Sequence, residues 1–245
     1  MIKINRTRCP TVLRNAGPDS DRYRAPMVVK ELWKMQHGKC CYCEQPIPEN
    51  GHAKAVEHFH PQSVFRAKRN HWTNLLLACA QCNGKKSDKF PVMLTDDPHD
   101  IKIVYVRHSR KGTPALINPA GKTDPEKHLS YHVALGDGPL AGQIRARQNS
   151  HRGQATISTV GLNQAFYHAQ RREHFITLLQ LFAILLGAAG NPERMNVIRI
   201  QWENALSSDA KFAGLAREFA RTARLDSKFD VPVPEIDDAS ATPGV

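Results

Sequence analysis

The chain has 245 residues, 41% hydrophobic and 23% charged, which is enough to bury one large core or two modest ones. A formal net charge of +11 favours an anionic partner, nucleic acid being the commonest large one, with a solvated basic surface as the alternative. The longest apolar stretch, Phe175 to Ala189, contains Thr177 and Gln180 and falls short of the about 20 residues of a membrane span. The opening "MIKINRTRCPTV" has no apolar run, so a cytoplasmic, reducing setting is expected, in which spaced cysteines point to metal rather than disulfides.

In chain order, residues 1–25 are basic and turn-rich, with Pro10, Gly17 and Pro18, and predict an irregular basic arm. Residues 26–100 form the next unit. It opens on "APMVVKELWKMQHGK", a predicted helix with Pro26 in its first turn, Val29, Leu32, Trp33 and Gln36 near one face, and Gly38 as the stop. "VEHFHP" and "NLLLAC" predict two strands, the first ending at Pro61 and the second leading into Cys79. Residues 101–160 predict a β- and loop-rich extension, with a strand at "IKIVYVRH" and a hairpin turn at "LGDGPLAG". Residues 161–228 predict helices over "NQAFYHAQRREHFITLLQLFAILL", "NPERMNVIRIQWENAL" and "DAKFAGLAREFARTARL". Asn191-Pro192 and Ser207-Ser208-Asp209 serve as helix starts, and the apolar stretch reads as a buried helix, with a partner surface as the alternative. Residues 229–245, with Pro232, Pro234 and Pro243 among acids and small residues, predict a disordered tail. There is no internal repeat, and the fold class is α+β.

Two C-x2-C knuckles, Cys40/Cys43 and Cys79/Cys82, supply a complete set of four thiolates for one tetrahedral zinc. Such a closed site is structural. The 35 residues between the knuckles exceed the roughly 15–20 of a zinc ribbon, so the enclosed segment has work of its own. Cys41 cannot share the tight turn and is a packing thiol, and Cys9 has no partner in the pattern. Within the enclosed segment and at its end lie a carboxylate (Glu57), an imidazole (His58) and a carboxamide (Asn83, directly after Cys82). Adjacent strand residues point to opposite faces unless twist brings both to one ion. From His58 to Thr95 the basic residues Arg66, Lys68, Arg69, Lys85, Lys86 and Lys89 face a single acid, Asp88. Such a run suits contacts to backbone phosphates or forms a solvated face.

Glu57-His58, Asn74 and Asn83, framed by the knuckles, resemble the HNH endonucleases with a ββα-metal fold, over residues 39–90. A wider likeness, through "NLLLACAQCNGKKSDKFPV", "ALINPAGKTDPEKH" and "ISTVGLNQ", is to the PtuB-like nuclease subunits of Septu-type and retron-associated anti-phage systems. The resemblance implies a ββα core stapled by the four-cysteine zinc site, with His58 as general base and Glu57 and Asn83 as ligands of a catalytic divalent ion. It makes Asn74 the brace of the loop that aims His58. Glu57 stands where aspartate is usual and Asn83 where histidine is frequent; this oxygen pair favours Mg2+ or Mn2+ over a second zinc. His60 stays open between a metal or phosphate contact and packing. The implied activity is hydrolysis of phosphodiester bonds, of DNA in preference to RNA, leaving 5′-phosphate and 3′-hydroxyl ends. The implied partner is an ABC- or SMC-like ATPase of the PtuA type, with or without a retron reverse transcriptase and its RNA. It is expected on the helical region, with Arg171, Arg172, Glu173 and the face of "EFARTAR" as exposed docking charges. A stand-alone restriction-type enzyme and an inactive zinc-stabilised adaptor are the competing readings; loss of Glu57, His58 or Asn83 would mark the latter, and all three are present.

Overall fold

Pro26 opens the first helix, α1 (Pro26–Met35), because its fixed φ suits a first turn that needs no N–H there. A computed structural model describes residues 1–50, 54–94, 102–105, 112–134 and 138–236. The buried stripe of α1 is Val28, Leu32 and Met35, one position off the expected face. Trp33 turns aside to donate to the Ile47 carbonyl (2.7 Å). Gly38 stops the segment at φ +66°, where a Cβ would come within 2.8 Å of the Trp33 ring.

Strands β1 (Lys54–His58) and β2 (Leu75–Cys79) pair antiparallel, with Glu57 opposite Leu76 and His58 opposite Leu75. β2 is buried from Leu75 to Ala78 and runs without a loop into α2 (Ala80–Lys86). Helix α1 covers β2, and α2 packs on both strands. This is the ββα unit expected from the sequence, in a fold of mixed α+β class.

Beyond it, β3 (Pro91–Met93) lies between β4 (Ile103–Tyr105) and β5 (Thr113–Pro114), all antiparallel. β6 (Leu129–Tyr131) and β7 (Ile144–Ala146) form the expected hairpin. Residues 106–108 of the predicted strand and 135–137 of the predicted turn lie outside the described residues. The expectation of only strands and loops up to residue 160 is corrected by helix α3 (His151–Val160), capped by Ser150, whose hydroxyl accepts from Gly153 N (3.2 Å). Its buried positions are Gly153, Ala155, Thr156, Thr159 and Val160, so small and polar side chains face inward and no hydrophobic period marks the helix.

The remaining helices are α4 (Ala165–Gly187), α5 (Pro192–Leu206), α6 (Ala213–Ala223) and α7 (Leu225–Phe229). Asn191 caps α5 as expected, accepting from Arg194 N (3.0 Å). Ser207 to Asp209 do not start α6; that helix begins four residues later, after Phe212 in the left-handed region (φ +53°). The rings of Phe175, Phe182 and Trp202 meet Phe219 at 5.4, 5.5 and 5.8 Å, forming the core of this half. Helix α4 is not buried all round. Phe175, Leu178 and Leu185 face inward, while Ile176, Ile184 and Leu186 are about half exposed. The tail stays packed as far as Val231, which is fully buried, and residues 237–245 lie outside the described residues. No helix among the described residues is long and apolar enough to cross a membrane.

The arm at residues 1–25 is irregular but anchored. Buried Asn70 donates to the carbonyls of Gly17 (2.7 Å) and Ser20 (2.9 Å) and accepts from Tyr23 N (2.9 Å). Packing of α3 on β7 leaves no room for a side chain at Gly153, where a Cβ would lie 2.3 Å from the His128 carbonyl oxygen. Gly153→Ala is therefore expected to destabilise the protein by about 1–3 kcal/mol, read as a lower midpoint in thermal or denaturant unfolding.

Candidate active site

Residues 38–47 fold into a tight turn closed by a bridge between Lys39 and Pro46, with Cys40 N donating to Gln45 O (2.9 Å). Cys41 N donates to Leu77 O (3.0 Å), and the Gln36 side chain brackets the Leu77 backbone, so the turn is fastened to β2. Cys79 and Cys82 stand at the start of α2. The sulfurs of Cys40, Cys43, Cys79 and Cys82 all lie within 4.8 Å of one another. Tetrahedral thiolate ligation at about 2.3 Å sets sulfurs roughly 3.8 Å apart, and Cys43 and Cys79 are separated by 3.9 Å. The four residues fit a structural zinc. Cys41 is buried but outside the cluster.

The cluster holds both flanks of a polar cleft of about 230 Å³, lined by Glu57, His58, Gln62, Asn83, Ser87 and Asp88 among others. The sequence-predicted trio of carboxylate, imidazole and carboxamide is thus brought to one place. His58 closes β1 and is 6% exposed. Its Nε2 lies 2.9 Å from the Arg69 carbonyl oxygen, which can only accept, so Nε2 carries the proton and Nδ1 holds the lone pair. Burial lowers its pKa to about 4; the Arg69 bond works the other way, and the charges of Lys86, Arg69 and Arg24 add to the lowering. The ring is neutral near pH 7.

Asn74 braces this geometry from one residue further on. Its side chain accepts from His60 N (2.7 Å) and donates to the carbonyls of His60 (3.0 Å) and Lys68 (3.1 Å), next to the Arg69 that orients His58. The His60 ring packs against Phe59, Phe65 and Phe90 at 4.8–5.0 Å and bonds Asn74 Oδ1 and Lys68 Nζ, away from the residues that line the cleft.

Glu57 is 2% exposed, and Tyr42 Oη (3.0 Å) and Lys86 Nζ (2.7 Å) both reach its Oε1. Burial raises its pKa against the pull of Lys86 and Tyr42. Lys86, read from the sequence as a phosphate contact, is 1% exposed and serves Glu57 and the His58 carbonyl instead. Of the other expected contacts, Lys85 and Lys89 are exposed, Lys68 bonds His60, and Arg66 and Arg69 pair with Asp19 and Asp21 of the arm. The run that looks unopposed in sequence is partly neutralised by acids about 48 residues upstream.

Sequence reasoning missed Tyr23, Arg24 and Tyr42. The Tyr23 ring meets His58 edge-on at 4.7 Å, with the guanidinium groups of Arg24 and Arg69 over its faces at 5.3 and 5.4 Å. Tyr42, between two cysteines of the first knuckle, had a usable signal, because a residue in that turn is delivered by the metal. Tyr23 and Arg24 had none. The expected docking charges are corrected as well: Arg171 is fully buried, donating to the carbonyls of Gly142 (2.7 Å) and Leu162 (2.8 Å). In "EFARTAR", Glu218 is buried against Arg147 and Arg221, and Arg221 reaches Glu126 (3.1 Å). These charges hold the fold together; Arg172 and Glu173 are exposed.

A ββα unit with a thiolate corner and a carboxylate–imidazole–carboxamide cleft is the architecture of one nuclease class. Residues 40–89 match the family model described as HNH endonuclease. Among curated proteins, the chain is similar to Septu protein PtuB of Bacillus thuringiensis, with 29% identity over 139 residues, covering 57% of this chain and 42% of that protein. It is also similar to Septu protein PtuB of Bacillus mycoides (strain KBAB4), 24% identical over 200 residues, covering 67% of this chain and 63% of that protein. A third relative is Septu protein PtuA of the same strain, 26% identical over 183 residues, covering 67% of this chain but 23% of that protein. The chain spans less than two thirds of the length of each of these relatives.

The thiolate cluster is tested by elemental analysis of purified variants. Cys79→Ser is expected to lose zinc and to melt early or aggregate, whereas Cys41→Ser keeps about one zinc per chain. Loss of zinc from Cys41→Ser alone would move the site.

Proposed function

We propose that this chain is a metal-dependent HNH endonuclease that hydrolyses nucleic-acid phosphodiester bonds as the effector of an anti-phage defence complex. The observation that carries the reading is the cleft itself, which gathers Glu57, His58 and Asn83 beside a metal-fitting corner. A neutral His58 with a free lone pair on Nδ1 takes a proton from water, which attacks phosphorus in line with the departing 3′ oxygen. Glu57 and Asn83, both oxygen donors, would hold Mg2+ or Mn2+, and the ion would supply stabilisation of charge on the phosphoryl group and leaving oxygen. Asn74 is a positioning residue for the loop behind His58. Exposed Arg24, Lys85 and Lys89 are placed to meet backbone phosphates without reading bases, DNA being the preferred substrate.

Septu is the favoured setting because the relatives reported above carry that name. An ATPase of the PtuA type is the favoured partner, supported by a relative named PtuA that itself carries a segment like this chain. For docking, the apolar face formed by Ile184 and Leu186 of α4 with Val197 and Ile200 of α5 replaces the charges expected from sequence. All four are 48–56% exposed, and Ile184 and Val197 line a groove of about 610 Å³. Val197→Asp should weaken co-purification with the ATPase while the nuclease alone keeps its melting temperature and zinc; unchanged co-purification would place the partner elsewhere.

Catalysis is tested with His58→Ala. Cleavage of DNA under Mg2+ or Mn2+ should fall by at least about a hundredfold, with zinc content and cooperative unfolding retained. Wild-type cleavage by this variant would remove His58 from the mechanism.

A further inference from the structure

A buried lysine needs a reason. Lys86 ends α2, one helical turn after Asn83, and its side chain is 1% exposed with the ammonium 2.7 Å from Glu57 Oε1 and 2.8 Å from the His58 carbonyl oxygen. Taking two charges out of water is costly unless each satisfies the other, so in the state described here Lys86 is what makes a buried, ionised Glu57 tolerable. Tyr42 donates to the same oxygen from the opposite flank. A divalent cation seeking Glu57 therefore meets a carboxylate that already has a positive partner, and like charges at that range repel strongly where water is scarce.

We propose that Lys86 restrains the divalent-ion affinity of the site: its ammonium sits on the Glu57 oxygen that an ion would use, and has to give up that oxygen for an ion to be held. This rests on the reading of Glu57 as a cation ligand. The ion pair aims Glu57 and at the same time holds down the site's affinity for metal. The lysine is released when an anion gives it somewhere to go. The anion at hand is a backbone phosphate in the cleft that Glu57, His58 and Asn83 line. Metal and nucleic acid then load together, and each tightens the other by the same factor.

The experiment is calorimetric titration of Mn2+ into zinc-loaded protein at pH 8 without nucleic acid. Lys86→Gln and Lys86→Met, which remove the charge, should bind Mn2+ about tenfold more tightly than wild type, and Lys86→Arg, which keeps it, should stay near wild type. Glu57→Gln is the control for the underlying reading. If Glu57→Gln leaves Mn2+ affinity unchanged, Glu57 is not the ligand and the proposed metal site falls. If Glu57→Gln abolishes binding but the neutral Lys86 variants bind Mn2+ no more tightly than wild type, the counter-ion role is overturned and Lys86 is a strut for β1. Zinc content and melting report whether the variants fold. Should neither neutral variant fold, Mn2+ titration of His58→Ala with and without a DNA oligonucleotide decides: tightening by DNA is expected, and its absence overturns the proposal.

Discussion

Four sulfur atoms organise everything that surrounds the cleft. The first knuckle delivers Tyr42 to Glu57, and the second starts the helix that carries Asn83 and Lys86. The two knuckles are separated by 35 residues, and the first is fastened to β2, the strand that leads into the second, through Cys41 and Gln36. A structural zinc supplies on the order of 10–16 kcal/mol in small metal-folded domains, more than such a turn obtains from packing. The same cluster reaches into the helical half: the Tyr167 hydroxyl on α4 lies 3.3 Å from both Cys79 and Cys82 sulfurs, and Gln170 bonds Gln45 of the first knuckle. Burial and the sulfurs keep that phenol neutral and able to donate. A hydrogen bond of this kind orients a ligand and tunes it.

Charge is distributed in two different ways around this centre. Inside, Glu57 and Lys86 are almost wholly removed from water, and the pairing is indispensable because either group alone would be a buried, uncompensated charge. Outside, Arg66 with Asp19 is a pair of largely exposed side chains whose worth is a few tenths of a kcal/mol, roughly, and falls with salt. The net surplus of +11 is therefore carried at the surface, while the buried pair fixes where the Glu57 carboxylate stands.

Much of the nuclease half was legible because its signals are local and covalent. Cysteine spacing located the metal corner, and the apolar run ending at Cys79 located β2 and the start of α2. The side-chain types at Glu57, His58 and Asn83 pointed to the cleft that the structure assembles. Helix α3 stayed hidden because its inward face, apart from Val160 at its end, is made of glycine, alanine and threonine, which carry no hydrophobic period. Lys86 was misread because a lysine among lysines looks solvated; only the tertiary approach of Glu57 shows otherwise. Tyr23 and Arg24 were out of reach for the same reason, since Asn70, 47 residues along the chain, is what holds the arm beside His58.

The half-exposed α4 adds a mechanical aspect. Tyr167, resting on the sulfurs, and Ile184, bare to solvent, are 17 residues apart on one unbroken helix, a separation of about 26 Å along its axis. The helix is clamped along one side, at Tyr167 by the sulfurs and at Phe182 and Leu185 by the core, and open along the other. One stiff element therefore joins the cysteine corner to a solvent-facing apolar surface well away from the cleft.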